Sequence, residues 1–115
     1  MNTGYKMLAL DLDGTLFGPS GKISENNLKA VHRAHDSGLN IVICTSRSLA
    51  EAGQAVPVLS LTDEMIAVGG AMCVEPDTRR TLYRFVMNHD LVVEATELLV
   101  ESGHRALLLK DAGKT

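Results

Sequence analysis

The sequence predicts an α/β fold, and three observations carry that expectation. Short apolar runs rich in β-branched residues stand at positions 5–10, 39–44 and 65–68. Helix-start and helix-stop signals fall between them, and the rhythm changes after Gly70. Strands that alternate with helices bury their apolar faces as a parallel sheet joined by right-handed crossovers, a Rossmann-like layer. A chain of 115 residues has room for one domain and hardly more.

Each element has its own signature. Residues 5–10 (YKMLAL) are too few for a helix and run into a turn at Gly14, as a strand entering a loop does. Residues 17–22 hold two glycines and a proline and read as a loop. Ser24 is a helix N-cap, and Ile23 is placed to staple onto Leu28. Leu28, Val31 and His35, with Ala34 beside them, share a helical face that Gly38 closes. Residues 39–44 (LNIVIC) form a strand expected to be buried on both faces. Ser48 and Glu51 have the spacing of a capping box for a second helix, which Pro57 ends or kinks. Residues 65–68 are the third strand.

Beyond Gly70, residues 71–74 and 82–86 flank the turn-rich segment 75–78 as an antiparallel hairpin. Leu91, Ala95, Leu98 and Leu99 make one face of a helix over residues 90–102, stopped by Gly103, and residues 105–109 read as a last strand. The expected organisation is therefore a three-stranded parallel sheet over residues 1–70 and a β-β-α-β unit over residues 71–115.

Composition narrows the functional classes. Apolar residues make up 45% and charged residues 22%, the balance of a globular chain and not of a disordered one. Eleven Lys and Arg against 14 Asp and Glu give a formal charge of −3, so no broad basic surface awaits a nucleic-acid backbone. No stretch approaches the about 18 uninterrupted apolar residues of a membrane span. The first residues lack the charge pattern and cleavage site of a signal peptide, and a cytoplasmic location is expected. Cys44 and Cys73 sit in strand-like runs without metal-ligand spacing and read as buried, reduced thiols.

The chemistry concentrates at Asp11, Asp13, Gly14 and Thr15. Two carboxylates at the C-terminal end of a strand lie where open α/β sheets bind ligands. Their mutual repulsion favours a hard cation such as Mg²⁺, which keeps water and phosphate oxygens in its remaining positions. Gly14 permits close backbone approach and the N–H groups after it can face an anion, while one Asp can act as nucleophile and the other move the proton. A calcium-binding EF-hand loop fails here, because its sixth and twelfth positions counted from Asp11 hold Leu16 and Lys22. A receiver domain would carry its phosphorylated Asp after the third strand, where Val68-Gly69-Gly70 stands instead. His32 and His35 lie three apart with no third ligand and read as an ordinary helix face.

The run Asp11-Leu12-Asp13-Gly14-Thr15-Leu16 resembles motif I (DxDGT) of the haloacid dehalogenase superfamily of phosphatases. The segment Ile41-Val42-Ile43-Cys44-Thr45-Ser46-Arg47 is similar to motif II, in the T-G-R form of the Cof-type branch with Ser46 in the glycine position. Gly69-Gly70-Ala71 is similar to that branch's N-G-A. The resemblance implies that Asp11 attacks phosphorus to form an aspartyl-phosphate and that Asp13 serves as acid and then base. It also implies that Mg²⁺ is held by the Asp11 carboxylate and the Asp13 carbonyl. Leu12, Gly14, Thr15, Thr45, Ser46 and Arg47 would surround the phosphate and substrate. Residues 71–115 would begin the branch's α+β cap.

The family's later lysine (motif III) and acidic pair (motif IV) have no counterpart that we assign; Lys110 and Asp111 fall in the expected cap. The chain thus resembles the first part of a longer phosphatase, and a weakened rate is expected of the half-site alone. The expected function is Mg²⁺-dependent hydrolysis of a small phosphorylated metabolite such as a sugar phosphate. The alternatives are a phosphomutase of the same superfamily and a non-catalytic fragment that binds phosphate or a partner chain. Self-association through an open sheet edge is expected as well.

Overall fold

The computed structural model describes residues 4–52, 58 and 60–111. Its centre is a five-stranded mixed sheet. Strand β1 is Met7–Leu10, β2 is Asn40–Cys44 and β3 is Met65–Ala67, and the three pair in parallel in that order. Strands β4 (Met72–Val74) and β5 (Thr81–Arg84) form the expected antiparallel hairpin. The hairpin does not stand apart from the parallel strands: β4 pairs antiparallel with β3 and extends the same sheet across residue 70.

Helix α1 (Glu25–Asp36) connects β1 to β2. The Ser24 side chain accepts a hydrogen bond from the Asn27 N–H at 3.1 Å, the N-cap its sequence promises. At the other end the Leu39 N–H donates to the Ala34 carbonyl and the Gly38 N–H to the His35 carbonyl, with Gly38 at φ +92°. That left-handed glycine closes a Schellman motif and turns the chain directly into β2. The helix packs through Leu28, Val31 and Ala34. His35 is exposed, contrary to the expected pattern, although at 100° per residue it lies within about 40° of Val31; it stands in the last turn of the helix.

The core fills from both neighbours of the parallel strands. Ile41, Ile43, Met65 and Ala67 of the sheet meet Leu12, Leu16, Phe17 and Val31, all buried. Phe17 belongs here and not to a solvated loop, although it opens the glycine- and proline-containing segment. The reciprocal bonds of the capping box form as expected: the Ser48 N–H donates to Glu51 Oε2 at 2.8 Å and the Glu51 N–H to Ser48 Oγ at 3.3 Å. Most of the helix they should start, with Pro57, lies outside the described residues.

Two further expectations are corrected. The third strand stops at Ala67, because Val68 takes φ +52° and starts a tight 3₁₀ turn. Residues 105–109 form no strand. They find no ladder partner among the described residues, and Leu107 and Leu108 are exposed. The chain just after them is tied to the sheet at Asp111, which accepts from Thr81 Oγ1 at 3.1 Å and from Arg84 Nη1 at 2.7 Å.

Helix α2 (His89–Glu101) follows β5, capped by Asn88 and ended by a second Schellman motif at Gly103. None of its residues is buried. The radius of gyration, 16.6 Å, exceeds the about 13 Å of a compact chain of this length. Among the described residues no helix is long and apolar enough to cross a membrane.

Candidate active site

Parallel pairing brings the candidate residues together. Leu10 lies opposite Ile43, so the chain leaves β1 at Asp11 and β2 at Thr45 on the same edge of the sheet. Side chains alternate along the exit from β1. Leu12 is fully buried, whereas Asp11 and Asp13 on either side of it are exposed. One apolar side chain thereby fixes where both carboxylates emerge.

The loop after β1 folds tightly around Leu12. Its carbonyl accepts from the Phe17 N–H at 2.8 Å and from the Thr15 N–H at 3.3 Å, and Gly14 between them sits at φ +73°. A side chain at that φ would be strained, so the turn requires glycine. The Leu12 N–H donates to Asp11 Oδ1 at 2.7 Å. The N–H groups of Leu12 and Thr15 are therefore engaged within the loop, where the sequence suggested donors facing an anion. Thr15 and Gly14 remain exposed at its rim.

The two carboxylates differ. Asp11 has no cationic partner among the described residues. Asp13 is gripped by Arg47, whose Nε donates to Oδ2 and whose Nη2 donates to Oδ1, both at 2.8 Å. This two-bond fork is the geometry guanidinium and carboxylate favour. Arg47 is itself held: Nη1 donates to the Glu51 carbonyl at 3.0 Å, and Cζ lies 5.3 Å from the centre of the Phe17 ring. The Arg47 hydrogen bond keeps the Asp13 carboxyl below its ordinary range. The Glu51 carboxyl is lowered as well, chiefly by the Ser48 N–H.

Thr45 is 5% exposed. Its Oγ1 accepts from the Arg47 N–H at 3.1 Å, which leaves its own O–H to donate. Its backbone joins the next loop, since the Thr45 N–H donates to the Ile66 carbonyl and the Gly69 N–H to the Thr45 carbonyl. The Val68 N–H donates to the Arg47 carbonyl at 3.0 Å, which holds Val68 in its left-handed conformation. Ser46 is exposed beside them. The loops after β1, β2 and β3 are thus tied into one rim, with Arg47 touching both of the others.

No site role was legible in the sequence for Phe17, Glu51, Ile66 or Val68. Glu51 was visible only as a cap; its carbonyl's second use has no sequence signal. His32 and His35 stay apart from the rim, and among the described residues no three His, Cys, Asp or Glu side chains group to hold a metal. Cys73 is buried, which pushes its thiol pKa up, and Cys44 is half-buried.

Removing Arg47 has an expected titration signature. In Arg47→Ala the Asp13 carboxyl should titrate at higher pH than in the parent, back toward the about 3.9 of a free Asp, as read by carboxyl carbon NMR. Because the folded value is the depressed one, the pair's small contribution to stability is present above the ordinary carboxylate pKa. It disappears as pH falls through the folded value.

The profile of the haloacid dehalogenase-like hydrolase family matches residues 8–114, and the chain belongs to that family. The chain is 36% identical over 66 residues to a 5-amino-6-(5-phospho-D-ribitylamino)uracil phosphatase of Bacillus subtilis, covering 57% of this chain and 26% of the relative. It is 29% identical over 97 residues to the HMP-PP phosphatase of Klebsiella pneumoniae, covering 84% and 34%. The chain spans about a third of the length of the curated relatives it matches.

Among solved structures, the haloalkanoate-superfamily phosphatase BT1666 of Bacteroides thetaiotaomicron superposes with a TM-score of 0.74 at 32% identity, covering 86% of this chain and 36% of that one. The subclass IIB sugar phosphatase BT4131 gives 0.67 at 27% identity, covering 85% and 38%. Within its family the chain falls with this Cof-type branch, as its N-terminal portion.

Proposed function

We propose that this chain carries the phosphoryl-accepting half of a phosphatase acting on a small phosphorylated metabolite in the cytoplasm. One observation supports the division of labour most directly: of two exposed carboxylates flanking a buried leucine, Asp13 is paired with Arg47 and Asp11 has no cationic partner among the described residues. Asp11 is the nucleophile. A carboxylate oxygen forms a bond to phosphorus while the ester P–O bond breaks, leaving an aspartyl-phosphate and an alkoxide that takes a proton from Asp13. Asp13 then removes a proton from the water whose oxygen bonds to phosphorus as the aspartyl P–O bond breaks, which releases inorganic phosphate and restores the Asp11 carboxylate.

The Arg47 fork bears on this cycle. Held as in this structure, Asp13 is a carboxylate and is ready for the second step, as a base. The first step needs it protonated, so the guanidinium must draw back before Asp13 acts as an acid. Thr45, with an O–H to donate, and the rim residues Gly14, Thr15, Ser46 and Arg47 would bind the transferring group and its leaving alcohol, around a loop that Leu12 anchors from below.

The Asp11 carboxylate and the Asp13 carbonyl are hard oxygen donors and fit a Mg²⁺ ion that completes its shell with waters and phosphate. Bound there, the ion would offset the negative charge of the carboxylate and the incoming phosphate. The relatives' range, from a ribitylaminouracil phosphate to HMP-PP and sugar phosphates, points to a small metabolite ester and not a macromolecule.

Incubation with Mg²⁺ and p-nitrophenyl phosphate, followed by quenching and mass spectrometry, tests the reading. The expected product is a hydroxylamine-sensitive phosphate on Asp11. A stable phosphate on another side chain would refute the assignment, and so would a chain that never labels.

A further inference from the structure

The Arg47 guanidinium is held on three sides. Nε and Nη2 donate to Asp13, Nη1 donates to the Glu51 carbonyl at 3.0 Å, and Cζ lies over the Phe17 ring. Fixing a long arginine side chain costs rotamer freedom, and a solvent-exposed ion pair does little to offset that cost. The Asp13 side chain is 53% exposed, so its two bonds alone leave the fork free to come and go. The third bond and the ring make the arrangement persistent.

That third bond depends on a turn. Four residues of extended chain span about 13 Å, beyond an arginine side chain's reach. The Glu51 carbonyl therefore meets Nη1 only because the chain between them curls back. One backbone bond closes the curl, from the Ala52 N–H to the Ser48 carbonyl at 3.0 Å. The Glu51 carboxylate closes it from the other side by accepting from the Ser48 N–H at 2.8 Å. The carboxylate itself is not the arginine's partner: among the described residues no ion pair joins the two, and Glu51 offers its backbone to the guanidinium instead.

We propose that Glu51 is a positioning residue: its carboxylate, through Ser48, holds the turn whose carbonyl keeps the Arg47 guanidinium at Asp13. The inference rests on the roles proposed above for Asp13 and Arg47. When the guanidinium draws back so that Asp13 can give up a proton, the Nη1 bond to Glu51 is the pivot that keeps it beside the site. It returns when Asp13 takes a proton from water. Glu51 has no hydrogen bond to Asp11 or Asp13 among the described residues and acts only through the arginine.

Exchange of the Arg47 Nε–H with water, read by nitrogen-15 NMR of the 115-residue chain, tests this without requiring turnover. In the parent this proton should exchange at least about fivefold more slowly than that of the exposed Arg105. Glu51→Ala should raise the Arg47 rate at least about fivefold, the effect of losing one cap. Glu51→Gln, whose amide oxygen can still accept from the Ser48 N–H, should restore it to within about twofold of the parent. The circular dichroism spectrum should be unchanged in both, because Glu51 is exposed. On p-nitrophenyl phosphate, Glu51→Ala should lower kcat about fivefold and leave KM as it was.

Parent exchange as fast as that of Arg105 overturns the proposal, and so does an Arg47 rate indifferent to Glu51→Ala. A glutamine variant as loose as the alanine one overturns it by making charge the agent, and a Glu51→Ala chain that loses its spectrum does so by making the residue structural. A change in KM alone would also overturn it. A slow, Glu51-dependent Arg47 in a chain that never labels at Asp11 would instead refute the phosphatase roles and leave the hold on Arg47 standing.

Discussion

Asp11→Asn is expected to lower Mg²⁺-dependent hydrolysis of p-nitrophenyl phosphate by at least about a thousandfold, to the solvent background. The amide nitrogen and carbonyl that replace the carboxylate keep its shape and its bond from the Leu12 N–H, so the loop should fold as before. What disappears is the anionic oxygen that attacks phosphorus. A parent rate that is itself low fits the proposal, because the family's charge-neutralising lysine is not assigned in these residues; the comparison is therefore between variant and parent. Asp13→Asn should lose about 10²–10⁴-fold, the range of a positioned acid–base group. If Asp11→Asn retains most of the parent's activity, Asp11 is not the nucleophile and the division of roles drawn above is wrong.

The second large effect is on stability. Ile43→Ala should cost about 3–4 kcal/mol and lower the melting temperature by roughly 10–20 °C, read by thermal denaturation. Ile43 is fully buried in the middle of the sheet, between β1 and β3, where it pairs with Leu10 on one side and Met65 on the other. A backbone held by two ladders cannot collapse into the space the side chain leaves, so the cavity term adds to the lost transfer energy. His32→Ala, at an exposed position on α1, should change stability by no more than about 0.5 kcal/mol. An Ile43→Ala loss as small as the His32→Ala one would mean that the sheet is not the cooperative centre of the fold.

Much of this arrangement was legible before any coordinates. The acidic pair, Gly14 and Thr45 are local patterns: each is a residue type at a strand end, which alternation and turn chemistry expose directly. The Ser24 cap, the Gly38 stop and the Ser48–Glu51 box are local as well, and each forms as expected. Arg47 is different. Its grip on Asp13 spans 34 residues and depends on β1 and β2 being neighbours in parallel, which no spacing rule states. Residues 105–109 failed for the complementary reason. An apolar run can be a strand only beside a partner, and among the described residues none is available. His35 shares the Leu28 side of the helix yet is exposed in its last turn, and periodicity alone does not show how far along the helix the cover extends.

The alternation Asp11-Leu12-Asp13 carries one more consequence. Leu12 acts as a peg: it sits in the core, and the two acids ride on either side of it. The chemistry therefore has no independent foothold in a mobile flap and cannot outlive the core beneath it. Heat inactivation and loss of the sheet should run on a single curve. An added residue between 11 and 13 would leave the peg able to seat only one acid, so an insertion there should be tolerated far less than one in the exposed turn at Pro19 and Ser20.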